Sequence, residues 1–235
     1  MKAKESPSDD STSLWSPLNE KIIAPVVLPE NLKKKTLKDL AVKIGGTYTA
    51  RAMAQLDSPL GEFISQIETD ERLGLRKGEI EDRMAAFGHN QICEPKPTNF
   101  LYEWFKCCGD RKNAEYSDIV REYLPTECEV IREGEQLKLS LKAIVKGDLI
   151  ILKAGQYAPA DIRLVEANDL TVDNYLFTGV HDELPRSTES NYPNSVLDYG
   201  NCVLMGAKII KGNARGIVYE TGFKSALGTM VRTTP

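Results

Sequence analysis

From about Ser117 onward, the chain consists of short apolar segments separated by turn-forming residues, and this pattern limits the folds that it can adopt. Segments rich in Val, Ile and Leu occur at residues 129–132, 137–141, 143–153, 162–166, 202–208 and 216–220. Gly, Pro, Asn and Asp lie between them, and these residues favour the tight turns that connect short strands. The pattern predicts a compact β-rich domain of sandwich or jelly-roll type.

The preceding part of the chain has a helical pattern instead. Between residues 76 and 87, the apolar residues Ile80, Met84 and Phe87 recur with the spacing of one helix face. Gly88 follows the last of them and favours the end of a helix at that point. An α+β fold class is therefore predicted, and the predicted boundaries are a flexible tail over 1–36, a helical segment over 37–110 and a β-rich domain over 117–235.

The two parts meet at the sharpest change of composition in the chain. An apolar, aromatic stretch over residues 99–108 ends abruptly at the polar sequence Gly109–Asn113. We place the domain joint there.

Charge and hydropathy exclude several classes of protein. The 235 residues include 30 basic and 34 acidic side chains, a formal net charge of −4, which gives no support for a nucleic-acid-binding surface. The N-terminus has no secretory signal, and no run approaches the ~18 apolar residues that a membrane-spanning helix requires. We therefore expect a cytoplasmic chain without a transmembrane span.

The cysteines indicate a reducing compartment. There are five, an odd number, and they are Cys93, Cys107, Cys108, Cys128 and Cys202. Their irregular spacing contains no CxxC pair, so a disulfide framework or a zinc site is not expected. The adjacent pair beside Trp104 could be an acylation site at a membrane edge, but we favour an incidental or buried pair. We expect no bound metal and no cofactor.

Four ordered motifs in the second half are more specific than any single glycine or aspartate. They are Val145–Leu149 followed by Gly155–Arg163, the segment Asn168–Asn174, the tetrapeptide Thr178–His181, and Lys211–Val218 followed by Thr221–Gly222 and Leu227–Met230.

This ordered set resembles the actuator domain of the P-type cation-transporting ATPases, in particular the branch that contains the sodium/potassium and proton/potassium pumps. Earlier residues resemble the N-terminal domain of cation transporters in that family, namely Gly74–Leu75, Glu79, Arg83 and Phe87–Asn90. The resemblance extends from about Thr36 to Met230. It implies a distorted jelly-roll-like actuator domain after an N-terminal helical segment. Three of the motif residues are expected to hold loops together rather than to take part in chemistry: Asp148, Asp161 and Arg163.

The tetrapeptide Thr178, Gly179, Val180, His181 departs from the family at the position of its chemistry. In the family, this loop carries a glutamate that deprotonates the water attacking an aspartyl-phosphate, and that work needs a carboxylate within hydrogen-bond reach. Val180 occupies this position, and an isopropyl group can neither accept a proton nor orient water. Glu183 is the possible displaced carboxylate, although a shift of two or three residues moves a side chain by several ångströms. For His181, no partner supports a metal or general-base role, so no catalytic residue is assigned.

The sequence also lacks the family's phosphorylated-aspartate motif, its nucleotide-binding segment and its first membrane hairpin, since Asp110–Tyr116 joins the two parts directly. Our main hypothesis is a non-catalytic or regulatory actuator module whose partner is an intact P-type ATPase or its phosphorylation domain. The alternative is a partial chain of an active ion-pumping ATPase whose ATP-hydrolysing domains lie elsewhere, and enzymatic activity is left open. A β-domain that binds an unrelated ligand would explain the turns but not the ordered motifs.

Overall fold

The computed structural model describes residues 47–92, 120–191, 193 and 195–233. The predicted tail over 1–36, the apolar stretch over 99–108 and the joint at Gly109–Asn113 lie outside the described residues. Three of the five cysteines lie outside them as well.

Within the described ranges, three helices lie ahead of the sheet in the chain. They are α1 (Thr47–Asp57), α2 (Leu60–Ile67) and α3 (Lys77–Phe87). Pro59 separates α1 from α2, because proline lacks the N–H that would continue α1 and disfavours helical geometry in the residue before it. Its carbonyl accepts the first hydrogen bond of α2, from the N–H of Phe63 at 3.0 Å.

The helix predicted between residues 76 and 87 is confirmed as α3. The Glu79 carboxylate accepts the Arg76 N–H at 3.1 Å, which satisfies one of the donors that a helix start leaves unpaired. The helix ends at Gly88, whose φ of +81° suits glycine and whose N–H bonds to the Met84 carbonyl. None of the helix is fully buried, and Phe87 at the end of the apolar face is exposed. The apolar spacing predicted the helix correctly but not how deeply it packs.

The second part forms a seven-stranded antiparallel sheet with short helical elements. The strands are β1 (Glu127–Arg132), β2 (Glu135–Ser140), β3 (Leu149–Lys153), β4 (Asp161–Asp173), β5 (Leu184–Pro185), β6 (Cys202–Val203) and β7 (Lys208–Glu220). Their order is β2-β1-β3-β7-β4-β5, and β6 pairs with β4. Two further helices are α4 (Tyr175–Thr178) and α5 (Ala226–Thr233). The predicted α+β class, with helices ahead of a β-rich domain, is confirmed.

The hairpin of β1 and β2 closes at Glu133–Gly134. Both residues have positive φ, +53° and +79°, the requirement of the two-residue turn that matches strand twist. The long pair of β4 and β7 was predicted only in pieces, because Gly212 and Gly216 interrupt the run of strand-forming residues. The register shifts along this pair mark places where the regular ladder is interrupted, as at a β-bulge.

Both faces of the sheet are buried. On one face, Ile217 and Tyr219 of β7 belong to an apolar cluster that includes Tyr48 and Leu56 of α1 and Phe63 of α2. On the other face, the alternate side chains belong to a second cluster, with members such as Ile150, Leu152, Ile162, Val172 and Val218. The N-terminal helices therefore complete the core of the sheet.

Asp148, Asp161 and Arg163, which were predicted to hold loops together, each connect separate segments of the chain. The carboxylate of Asp148 binds Arg132 through two hydrogen bonds of 2.7 Å and also accepts the Val145 N–H. Asp161 accepts hydrogen bonds from the Tyr48 hydroxyl and from the backbone N–H groups of Met205 and Ala226. These carboxylates are buried, and each connects segments that are distant in sequence.

Arg163 connects the sheet to the first two helices. Its guanidinium donates to the backbone carbonyls of Gln55 and Ser58, at the end of α1, and lies over the ring of Phe63. Arg163 thus fixes the corner between α1 and α2 to the sheet.

Asn90, just after α3, makes a similar connection. Its side chain donates to the carbonyls of Leu141 and Pro159 and accepts the Gly222 N–H at 2.8 Å. Cys128 and Cys202 are buried free thiols, and burial raises the pKa of each to about 12, which keeps them protonated.

Candidate functional site

The tetrapeptide Thr178–His181 lies in the connection between two adjacent strands. β4 ends at Asp173, α4 follows, and the chain returns as β5, which pairs with β4 through Val172 and Leu184. Gly179 ends α4 with a φ of +68°, and its N–H bonds to the Tyr175 carbonyl at 2.7 Å. The left-handed geometry turns the chain back towards β5, so that residues 179–183 form a reversal loop.

Thr178 fixes the conformation of this loop. Its Oγ1 accepts the N–H of Val180 at 3.2 Å and lies 2.9 Å from the Val180 carbonyl oxygen, to which it donates. The Val180 side chain is 48% exposed. An apolar group therefore faces solvent at the position where the resemblance leads us to expect a carboxylate.

His181 is held by two residues that the sequence did not identify as its partners. Its Nδ1 lies 2.6 Å from Oδ2 of the buried Asp173. Its ring stacks on Tyr175 with 4.1 Å between centroids and 6° between planes. The other Asp173 oxygen, Oδ1, accepts the Tyr175 N–H at 2.9 Å. The expectation that His181 has no partner was therefore wrong, because α4 brings Asp173 back to a residue eight positions later.

The signal that could have found this pair is the position of Asp173 within the motif Asn168–Asn174. An aspartate at the end of a strand commonly accepts a backbone N–H two residues on, which leaves its second oxygen for a loop side chain. The sequence alone did not fix the path of the chain between Asp173 and His181.

Two further tyrosines, Tyr123 and Tyr157, extend the aromatic contacts of Tyr175. Tyr175 stacks on Tyr123 with 6.5 Å between centroids, and Tyr123 meets Tyr157 edge to face at 5.7 Å. Burial, followed by the proximity of Tyr175, raises the pKa of Tyr123 to about 12. Burial and then Asp173 raise the pKa of Tyr157. Both phenols stay protonated at neutral pH, so they act as neutral packing groups.

Glu183 directly precedes β5 and is paired with a lysine of β7. Its Oε2 accepts a hydrogen bond from Lys211 Nζ of β7 at 2.8 Å, and both side chains are exposed. Within the described ranges, no three His, Cys, Asp or Glu side chains are grouped as a metal site would require, and no helix there is long and apolar enough to cross a bilayer. A surface cavity of about 300 Å³ lies apart from the loop, between α2, α3 and Lys146.

Comparison with known proteins defines the class. The P-type ATPase actuator domain matches residues 122–235, and the N-terminal domain of cation transporters/ATPases matches residues 57–111. The chain therefore belongs to the P-type ATPase family.

The similar proteins are sodium/potassium-transporting ATPase α-subunits. Subunit alpha-2 of Bos taurus is 32% identical over 61% of this chain and 15% of its own length. Subunit alpha-2 of Homo sapiens is 33% identical and subunit alpha-3 of Gallus gallus is 32% identical, each over 53% of this chain and 12% of its own length. The chain thus matches less than a sixth of the length of these relatives.

Among solved structures, the crystal structure of a zinc-transporting PIB-type ATPase in an E2.Pi state is similar with a TM-score of 0.40 and 21% identity. The matched region covers 49% of the present chain and 17% of the chain in that crystal structure. A similarity this low supports no inference.

Proposed function

We propose that this chain is an actuator module of a sodium/potassium-pump-like P-type ATPase and that its role is regulatory. The observation that carries the proposal is the exposed Val180 at the loop position where the family resemblance implies a water-activating glutamate. Such a module would occupy the position of the pump's own actuator domain beside the phosphorylated aspartate. Its loop would supply no carboxylate at the position of Val180.

The contacts of the neighbouring acidic residues support this reading. Glu183 makes an ion pair with Lys211 on β7, which is the ordinary role of an exposed carboxylate beside a lysine. Asp173 is buried and engaged with His181 and Tyr175. Asp182 is exposed and stands two positions after Val180.

The proposed partner is the phosphorylation domain of an intact P-type ATPase, and the proposed location is the cytoplasmic face of the membrane in which that pump lies. The alternative is that the chain is part of an active pump with its own ATP-hydrolysing domains. Sequencing the transcript from end to end distinguishes the two, because a coding sequence for a phosphorylation domain in the same transcript would favour the alternative.

The chemical part of the proposal is tested by moving the loop into a working pump. Residues 173–185 of this chain replace the corresponding segment of an intact sodium/potassium pump α-subunit. We expect phosphoenzyme to form from ATP, which also shows that the chimera is folded. Its hydrolysis should be slower than in the parent pump by about 10²–10⁴-fold, the usual value of a general base.

Two controls locate any carboxylate that acts in place of the missing one. Val180→Glu in the chimera should recover part of the rate, whereas Asp182→Asn and Glu183→Gln should change it little. A chimera that turns over at the parental rate, and loses that rate in either of the last two variants, would overturn the proposed function.

A further inference from the structure

The side chain that this loop presents in an organised way is His181. Its ring is fixed at Nδ1 by the buried Asp173 and on one face by Tyr175, while its side chain remains 72% exposed. We propose that His181, oriented by Asp173, is a weak water-activating group that makes the lifetime of a partner's phosphoenzyme depend on pH. This inference rests on the proposed function, because it needs the loop to lie beside an aspartyl-phosphate.

The hydrogen bond with Asp173 selects the tautomer of a neutral His181. A carboxylate accepts but cannot donate, so the imidazole nitrogen that faces it carries the proton. Nε2 is then left with a lone pair that can accept a proton from water. The same arrangement, a carboxylate that holds the ring of a proton-accepting histidine, recurs in enzymes that use histidine as a general base.

The contacts around the pair keep the ring in place. Asp173 cannot rotate without breaking the hydrogen bond between its Oδ1 and the Tyr175 N–H. Tyr175 is itself packed against Tyr123, so the stacked face of the imidazole rests on a supported surface. A freely rotating histidine side chain would lose rotational entropy when it orders beside water and phosphate. The His181 ring is already held by Asp173 and Tyr175, so this entropic cost is smaller.

The proposed step is a hydrolysis. Nε2 of neutral His181 takes a proton from a water molecule while the water oxygen forms a bond to phosphorus. The bond between phosphorus and the partner's aspartyl oxygen breaks, and the aspartate leaves as a carboxylate. Inorganic phosphate is released, and the imidazolium returns its proton to solvent. Water and the acyl phosphate of the partner are the reactants.

The direction of the pH dependence follows from the neutral form being the active one. The titratable groups shown in contact with the ring are Asp173 on β4 and Tyr175 on α4, and Tyr123 packs against Tyr175. Asp182 and Glu183 follow His181 in the chain, and Glu183 pairs with Lys211 on β7. An imidazole can accept a proton from water only while it is neutral, and the neutral form is favoured as pH rises. Hydrolysis of the phosphoenzyme should therefore accelerate with rising pH.

The chimera described above tests the inference by its pH profile. Phosphoenzyme decay is measured from pH 5.5 to 8.5 in the chimera, in its His181→Gln variant and in the parent pump. We expect the chimera's rate to be slow and to rise with pH, because only the neutral imidazole can accept a proton from water. His181→Gln should lower the rate at pH 8 by about tenfold or more and remove the rise that is specific to the chimera.

The outcomes separate the two proposals. Slow decay that is the same in the chimera and in its His181→Gln variant at every pH would overturn the inference and leave the proposed function standing. Fast decay that does not depend on His181 would overturn the proposed function. Slow decay that rises with pH only when His181 is present supports both.

A second measurement uses the full chain itself. It contains two histidines, His89 and His181, so long-range nitrogen-15 NMR spectra resolve each imidazole. We expect His181 to carry its neutral-form proton on Nδ1, and Asp173→Asn to change this tautomer while leaving His89 unaffected. The asparagine keeps the Oδ1 acceptor for Tyr175, so the loop retains its fold. A His181 that carries the proton on Nε2 in the unmodified chain would overturn the proposed geometry.

Discussion

At the scale of single residues, the buried ion pair of Asp148 and Arg132 shows why a motif aspartate can be indispensable without being chemical. Removing one member of a fully buried pair leaves the other charge uncompensated, which typically costs about 3–5 kcal/mol. We expect Asp148→Ala to lower the free energy of unfolding by about this amount in urea titrations. Replacing Arg132 by Met as well should recover part of the loss, because the uncompensated charge is then removed.

The matched control is the exposed pair of Glu166 and Arg215, 2.6 Å apart on neighbouring strands. Glu166→Ala should cost about 1 kcal/mol or less, since surface ion pairs contribute little. Equal losses in Asp148→Ala and Glu166→Ala would contradict the role that burial gives to the first pair.

Asp161 should make stability depend on pH. Complete burial raises the pKa of this carboxyl to about 7, although the N–H groups of Met205 and Ala226 and the Tyr48 hydroxyl act in the opposite direction. An unfolded chain has an aspartate pKa of about 3.9. Between about pH 4 and 7 the folded state thus binds more protons, so the contribution of Asp161 is present at low pH and is lost as pH rises through 7.

The test is the difference in unfolding free energy between the unmodified chain and Asp161→Asn, which cannot titrate. The variant should be less stable at both pH 5 and pH 8, because an amide offers only one acceptor to two backbone N–H groups. The difference should be larger at pH 5. A difference that stays constant, or grows towards pH 8, would show that Asp161 is ionised throughout.

The sequence predicts a residue's role where the side chain's partner is local or where its chemistry alone is decisive. It identified Val180 as unable to activate water, since that follows from the isopropyl group alone. It missed the partner of His181, because the contact with Asp173 depends on the left-handed turn at Gly179 and on the single turn of α4. Neither feature has a strong sequence signal at a length of four residues.

At the scale of elements, the sequence located most strands but divided the longest ones. Gly216 stands in the middle of β7, where a Cβ atom would lie 2.4 Å from Cγ2 of Ile162 and 2.6 Å from the Arg163 carbonyl oxygen. A glycine that looked like a break in the strand is therefore required by the close approach of β4. The sequence shows the glycine, but only the packing of the two strands shows its reason.

This close approach predicts the effect of adding one methyl group. Gly216→Ala should lower the free energy of unfolding by about 1–3 kcal/mol, because the facing backbone cannot move aside without disturbing the β4–β7 ladder. The comparison variant is Gly78→Ala in α3, where nothing lies within 4 Å of the added atom. There the change should be neutral or stabilise by about 0.5–1 kcal/mol, as alanine does in a helix. Denaturant titration of the two variants under the same conditions gives both values.

At the scale of the whole molecule, the sequence suggested two parts and the structure joins them through one core. Phe63 of α2 is fully buried in the same apolar cluster as Tyr219 of β7 and Leu227 of α5. Arg163 and Asn90 add polar connections between the helices and the sheet. The periodicity that predicts a helix and the alternation that predicts a strand are both local patterns. Neither pattern indicates which face of a helix packs against which face of the sheet.

The shared core predicts that helices and sheet unfold as one cooperative unit. Phe63→Ala removes a large side chain from the cluster and should cost about 3–5 kcal/mol. Because α2 and the sheet bury each other, circular dichroism of the helices and near-ultraviolet signals of the tyrosines should lose their native values at the same, lower temperature. Leu73→Ala is the control, since Leu73 is 56% exposed, and it should leave the melting temperature unchanged.

A fragment of residues 120–235 should also melt at a lower temperature than the full chain, since it lacks Tyr48, Leu56 and Phe63. Two separate transitions in the full chain, or a fragment as stable as the whole, would mean that the helices only rest on a core that the sheet completes alone.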